Sequence, residues 1–219
     1  MELSKLQQGG GMSRLTTKSH DSQRIHFWGR DDCHLRQMNT LQSAMSSVEE
    51  LEHAVDSCRM ELNEVDEVWP NLYIGSIVIA HNKEELRKCG ITHILNAAHN
   101  AWGSKGSQDF YGKEFHYHGI AAEDSVDFDL STHFHPASQY IHKVLSTPKG
   151  KILVHCILGK SRSAALVLAY LMIYQKFPLA EAMERVLQKR AISPNRGFLK
   201  QLQNLDLELR YKINLCRLL

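Results

Sequence analysis

One run of nine residues constrains this chain more than any other: His155-Cys156-Ile157-Leu158-Gly159-Lys160-Ser161-Arg162-Ser163. It lies between a strand-like stretch, Lys151 to Val154, and a helix-like stretch, Ala164 to Lys176. A cysteine placed where a strand ends and a helix begins has its sulfur at the positive end of the helix dipole, among N–H groups that lack intrahelical partners. Such a site, with a cation nearby, lowers a thiol pKa from about 8.5 to roughly 3.5–7.5, so Cys156 is expected to be a thiolate nucleophile at neutral pH. Arg162 supplies the cation. Its planar fork can hold two oxygens of a phosphoryl group, while the amides of Ile157, Leu158, Gly159, Lys160, Ser161 and Arg162 face the same oxyanion. The competing reading is a buried, inert cysteine. That reading requires neither Arg162 nor the small Gly159 at those spacings.

The rest of the composition mainly excludes. With 219 residues, 43% of them apolar, the chain can bury one good core and carry a tail. A net charge of +2 is too mild to argue for nucleic acid. Five cysteines, Cys33, Cys58, Cys89, Cys156 and Cys216, stand at irregular spacing with no C-x-x-C pair. They suggest a reducing compartment, which a thiolate nucleophile also needs, so a soluble cytoplasmic protein, in the nucleus as well, is expected. Met1-Glu2-Leu3-Ser4-Lys5 opens no signal peptide, Glu2 excludes myristoylation, and no apolar run reaches membrane-spanning length. His116-x-His118 and His133-x-His135 lack the helical spacing of the common zinc motif, and no cofactor or metal is expected.

Residues 1–45 are rich in Gln, Gly, Ser, His and charge, and read as a disordered tail. Phe27-Trp28 is its only aromatic pair. A solvated pair without a role is the favoured reading, and a docking motif for a partner such as a kinase is the alternative. Ser46-Ser47-Val48-Glu49-Glu50 carries a capping box that opens a helix, with Val48, Leu51, Val55 and Met60 on one face. Strands are predicted at Leu72–Ile74, Ile91–Ala97, Phe115–Ile120 and Lys151–Val154. Helices are predicted at Lys83–Cys89, stopped by Gly90, at Leu130–Ser146, from Ala164 to Tyr174, after Pro178 and after Asn195. The alternation gives an α/β fold: a mainly parallel central sheet flanked by helices, with the reactive loop at the carboxyl end of a strand.

The C-x5-R loop with its preceding His and following Ser resembles the active-site loop of the cysteine-based protein tyrosine phosphatases. Val68-Trp69-Pro70-Asn71-Leu72-Tyr73-Ile74-Gly75, Gly90-Ile91-Thr92-His93-Ile94-Leu95-Asn96, Ala122-Glu123-Asp124 and Pro194-Asn195-Arg196-Gly197-Phe198-Leu199 resemble, in order, landmarks of the small atypical dual-specificity phosphatases, the muscle- and testis-type members above all. The likeness covers residues 46–212 and leaves 213–219 as a short C-terminal tail. It implies hydrolysis of phosphotyrosine and phosphoserine or phosphothreonine in phosphorylated protein substrates, through a phosphocysteine.

Such chemistry needs a carboxylic acid to protonate the leaving oxygen. Glu123, Asp124, Asp127 and Asp129 are candidates, and at least one of Asp127 and Asp129 is expected to cap the following helix. The resemblance selects Asp124. It also implies that Ser163 assists departure of the thiolate, with a helix N-cap as the plain alternative, and that Asn195 braces the loop. His155 is expected to hold the loop by hydrogen bonds. Arg190 has two readings, contact with a second phosphate or acidic residue of the substrate, and a solvated arginine at a helix end. Lys160 supports a rival reading, a phosphoinositide phosphatase, which the apolar Ile157 opposes. A non-catalytic phosphoprotein-binding module is the other rival.

Overall fold

The computed structural model describes residues 46–218. The readings for residues 1–45, disorder and the Phe27-Trp28 motif included, lie outside the described residues. Helix α1 (Val48–Asp56) starts at Ser47, whose side chain and that of Glu50 complete the capping box. Val48 and Leu51 are buried. The helix ends before Met60, which is exposed rather than on the apolar face expected for it.

Strands β1 (Val65–Trp69) and β2 (Leu72–Gly75) form an antiparallel pair. The short helix α2 (Ile77–His81) and α3 (Lys83–Lys88) follow, and Gly90 stops the latter at φ +71°, a backbone state that costs glycine little. Then come β3 (His93–Asn96), α4 (Gln108–Tyr111) and β4 (His116–Gly119). A 3-10 turn (Ser131–His133) precedes α5 (Phe134–Leu145), so the helix predicted from Leu130 begins as a tighter turn. Pro136 sits in the first turn of α5, where a missing N–H costs nothing. Strand β5 (Ile152–His155), α6 (Arg162–Tyr174), α7 (Leu179–Leu187) and α8 (Arg196–Leu218) complete the fold. Helix α8 continues past residue 212, so the backbone of Ile213 to Leu218 is helical and not a separate tail.

The sheet order is β1-β2-β5-β3-β4, and every pair except β1–β2 is parallel. Strand β5 is central and buried on both faces, with Ile152 and Val154 in one apolar cluster and Leu153 in the other. This alternation follows from the period-2 geometry of a strand. Strand β1, an edge strand rich in acidic residues, was not expected from the sequence. Helix α6 is buried from Arg162 to Met172 and packs against α5, α7, α8 and β5. An all-round apolar helix is stable only with neighbours on every side. The core therefore clamps the element whose amino end abuts the Cys156 loop.

Leu168 lies in the middle of α6 and is fully buried. Leu168→Ala should lower unfolding free energy by about 3 kcal/mol through lost transfer energy and a residual cavity. Urea denaturation checks this, and a loss below about 1 kcal/mol would show that α6 is not the keystone of the core.

Candidate active site

The loop from Cys156 to Ser161 curls between β5 and α6, which turns its amides inward and its carbonyls outward. Cys156 is 1% exposed, and its sulfur accepts from the Gly159 amide at 3.2 Å and the Ser163 hydroxyl at 3.4 Å. Six consecutive outward carbonyls all find donors. His155 Nδ1 lies 3.2 Å from the Cys156 carbonyl, and the Ile77 amide donates to Ile157 at 2.9 Å. Arg190 donates from Nη2 to Leu158 at 3.2 Å and from Nε to Gly159 at 2.8 Å. The Ser193 amide reaches Lys160 at 2.8 Å, and the Ala165 amide closes the first helical bond on Ser161 at 2.9 Å.

Arg190 corrects both sequence readings of it. The residue is fully buried, and its Nη1 donates to Asp66 Oδ2 at 2.6 Å and to the Asn63 carbonyl at 2.8 Å. It is neither solvated nor free to meet a substrate; it braces the loop from behind. A buried guanidinium is tolerable only because a carboxylate and three carbonyls satisfy it.

Gly159 is equally constrained. Its φ is +69°, and a Cβ there would stand 2.4 Å from the Gly75 carbonyl oxygen and 2.7 Å from Arg190 Nη2. Backbone geometry and close approach both demand glycine.

Several effects meet on the thiol. Burial pushes its pKa up, but the Ser163 hydroxyl, the Ser163 amide, the Arg162 charge and the Lys160 amide together outweigh burial and hold it below the ordinary thiol value. Burial drives His155 down to about 4, partly opposed by its bond to the Cys156 carbonyl. The imidazole is thus neutral near pH 7, with Nδ1–H the donor to that carbonyl. Its Nε2 is buried without a partner.

Asp124 reaches this loop from the segment after β4. Its Oδ1 accepts from the Ser161 hydroxyl at 2.6 Å and Asn195 Nδ2 at 3.0 Å, and its Oδ2 lies 3.5 Å from Arg162 Nε. Arg162 is 7% exposed and donates from Nη1 to the Ala122 carbonyl at 3.1 Å. Its Nε makes no hydrogen bond, which leaves a donor for an incoming oxyanion. Asn195 works in two directions, since its Oδ1 caps α8 through the Phe198 amide at 3.0 Å while its Nδ2 holds Asp124 and the Ser125 carbonyl.

Neither Asp127 nor Asp129 is the helix cap expected, since Leu130 and His133 hold the cap positions of the 3-10 turn and of α5 without side-chain bonds; Asp129 instead accepts from the Ser131 amide at 3.0 Å. The capping alternative for Ser163 does not hold, because Ser161 is the N-cap of α6 and Ser163 lies inside the helix. Ser161 makes no capping bond; its hydroxyl is committed to Asp124. Asp124, Cys156, Ile157, Leu158, Lys160, Ser161, Arg162, Ser193 and Asn195 line one pocket of about 530 Å³. Sequence reasoning missed Ile77, Ser193, Asp66 and the Ala122 carbonyl. Three of these act through the backbone, and no residue type signals that.

A thiol set in an oxyanion cradle at the carboxyl end of a central parallel strand defines a cysteine-dependent phosphatase site. The family described as dual specificity phosphatase, catalytic domain, matches residues 72–206. Dual specificity protein phosphatase 26 of Mus musculus is 50% identical over 177 residues, 80% of this chain and 83% of that protein, and the Homo sapiens protein of the same name shows the same figures. The crystal structure of human DUSP28 superposes with a TM-score of 0.61 at 28% identity, covering 68% of this chain and 97% of the other. That of the human tyrosine phosphatase-like serine/threonine/tyrosine-interacting protein gives 0.59 at 32% identity, covering 67% and 97%. The chain belongs to the dual-specificity phosphatase family, and is a protein-tyrosine/serine/threonine phosphatase of the atypical group.

Gly159→Ala should reduce kcat/KM by about a hundredfold or more while far-UV circular dichroism stays unchanged, since the strain falls on the cradle that orients the oxyanion. Near-wild-type turnover would show that the loop tolerates a side chain there. The Ser163→Ala thiol should titrate at higher pH than the wild-type thiol, because a hydrogen bond to the thiolate is lost. The pH dependence of Cys156 alkylation measures this, and an unmoved midpoint would remove Ser163 as a stabiliser.

Proposed function

We propose that this phosphatase works in two steps through a phosphocysteine on Cys156. The thiolate attacks phosphorus, the bond from phosphorus to the substrate oxygen breaks, and Asp124 gives that oxygen its proton. Arg162 and the amides of Ile157 to Arg162 hold the equatorial oxygens as charge develops. Asp124 then takes a proton from water, the water oxygen attacks phosphorus, and the S–P bond breaks to release inorganic phosphate. The Ser163 hydroxyl, already 3.4 Å from the sulfur, stabilises the departing thiolate. His155 and Asn195 hold the loop and the acid in place.

The observation that carries this reading is the convergence of Cys156, Arg162 and Asp124 on one pocket from two segments of the chain. It also separates the chain from a purely binding module, for which neither a lowered thiol pKa nor a positioned acid would serve a purpose. A thiolate of this kind requires a reducing compartment, which fits the cytoplasm and the nucleus.

Phosphate release from peptides bearing phosphotyrosine or phosphothreonine tests the assignment. Cys156→Ser should abolish it. Asp124→Asn should lower kcat on phosphothreonine by about 10²–10³-fold and far less on an activated aryl phosphate, whose leaving group needs no proton. Turnover retained by Cys156→Ser would remove the nucleophile. Leaving-group dependence in Asp127→Asn, and not in Asp124→Asn, would move the acid.

A further inference from the structure

The loop uses the backbone of Lys160 completely and its side chain not at all. The amide helps to stabilise the Cys156 thiolate, and the carbonyl accepts from the Ser193 amide at 2.8 Å. The ammonium makes no hydrogen bond or ion pair with any of the described residues, although Lys160 is half-buried and lines the pocket. An unpartnered lysine on an open surface is ordinary. This one starts from a backbone pinned at both its amide and its carbonyl, so its stem is held against the wall of the site rather than free to leave it.

The other cations are engaged. Arg162, the other basic residue lining the pocket, donates to the Ala122 carbonyl, lies 3.5 Å from Asp124 Oδ2, and serves the phosphoryl group. Arg190 is buried behind the loop on Asp66. Arg196, which follows Asn195 in the chain, is paired with Glu49 and Glu52 of α1. Asp124 is the one acidic residue among those lining the pocket. It carries its proton into the first step, so it sets no charge against an anion on a seated substrate. Among the pocket-lining residues, Lys160 thus holds the charge that has no counterpart.

We infer that the Lys160 ammonium sets sequence preference at this site by pairing with a carboxylate beside the phosphoresidue, so that a Glu or Asp neighbour is favoured over a neutral one. The inference rests on the reading of the pocket as one that takes a phosphorylated polypeptide. In an extended peptide each residue advances about 3.3 Å, so a side chain next to a phosphoresidue seated over Cys156 comes within reach of a long stem rooted in the same loop. A half-buried ion pair there is screened less than one on open surface. A neutral neighbour leaves the ammonium without a partner and gains nothing from it.

The test uses the full chain and two peptides that share one phosphotyrosine and differ only in its neighbours, Glu on both sides in one and the isosteric Gln in the other. A small aryl phosphate and phosphatidylcholine vesicles containing a phosphatidylinositol bisphosphate serve as references. At low salt the Glu peptide should show a kcat/KM about three- to fivefold above the Gln peptide, and the ratio should fall as salt is added. Lys160→Met should abolish the difference between the peptides, while Lys160→Arg, which keeps the charge, should retain it. Equal turnover of the two peptides by the unaltered chain, or a ratio that Lys160→Met leaves unmoved, would overturn the preference alone. An equal loss on both peptides in Lys160→Met would also overturn it, and would assign the ammonium to the phosphoryl group itself. Phosphate release from the vesicles that exceeds release from the peptides and is lost in Lys160→Met would overturn it in favour of a lipid headgroup. Turnover of the aryl phosphate and of no peptide would overturn the underlying reading as well.

Discussion

A loop that cradles an anion must turn its amides to one side, and it then leaves a row of carbonyls on the other. In this chain the row runs from Cys156 to Ser161, and every member is met: by His155, by the amides of Ile77, Ser193 and Ala165, and twice by Arg190. Buried carbonyls without donors would each cost on the order of 1–3 kcal/mol, enough in sum to open a loop in a marginally stable domain. The donors come from the end of β5, α2, the segment after α7 and the head of α6, so the arrangement of the fold around β5 is what keeps the cradle closed. The buried guanidinium of Arg190 in turn needs Asp66, which explains an acidic residue in the edge strand β1.

The same logic separates what the sequence made legible from what it hid. Cys156, Arg162 and the buried helix behind them are local: their roles follow from order along the chain and from the chemistry of a strand-to-helix turn. The parallel sheet was legible too, since short apolar strands alternate with helices. Arg190 was not. Its partners Asp66 and Gly159 lie 124 and 31 residues away, and nothing near Arg190 announces that it is buried. Strand β1 was hidden because Val65-Asp66-Glu67-Val68-Trp69 carries the charge typical of an exposed edge, which masks its alternation. Helix-start rules suggest a serine cap for α6, yet neither side chain supplies one, because the Ser161 hydroxyl at the cap position is drawn off by Asp124 and the Ser163 hydroxyl donates to the Cys156 sulfur.

Asp124 illustrates how position along the chain and position in space can agree for different reasons. Likeness to a family selected it among four acids, but what distinguishes it physically is company. Ser161 and Asn195 share its Oδ1, and Asn195 also caps α8, so the carboxylate is tied to the start of a long helix. Asp129 hydrogen-bonds instead within the turn that starts the next element. Asp124 is therefore held by two groups besides Arg162, which keeps its segment in register with the loop.

This dependence extends the working unit beyond the residues that match the family. The match begins at Leu72, yet Asn63 and Asp66 hold Arg190, and Glu64 receives the Ser76 hydroxyl beside the loop's docking point. Helix α1 buries Val48 and Leu51 in the main core, its Glu49 and Glu52 bind Arg196, and the Ser46 carbonyl accepts from Gln203. Exposed ion pairs add little by themselves, typically below about 1 kcal/mol each. Burial of two aliphatic side chains adds more, so α1 is held chiefly by its apolar face and oriented by its acidic one. A chain cut at the family boundary would keep Cys156, Arg162 and Asp124, but would leave Arg190 buried without its carboxylate, and the carbonyl row it serves would lose its anchor.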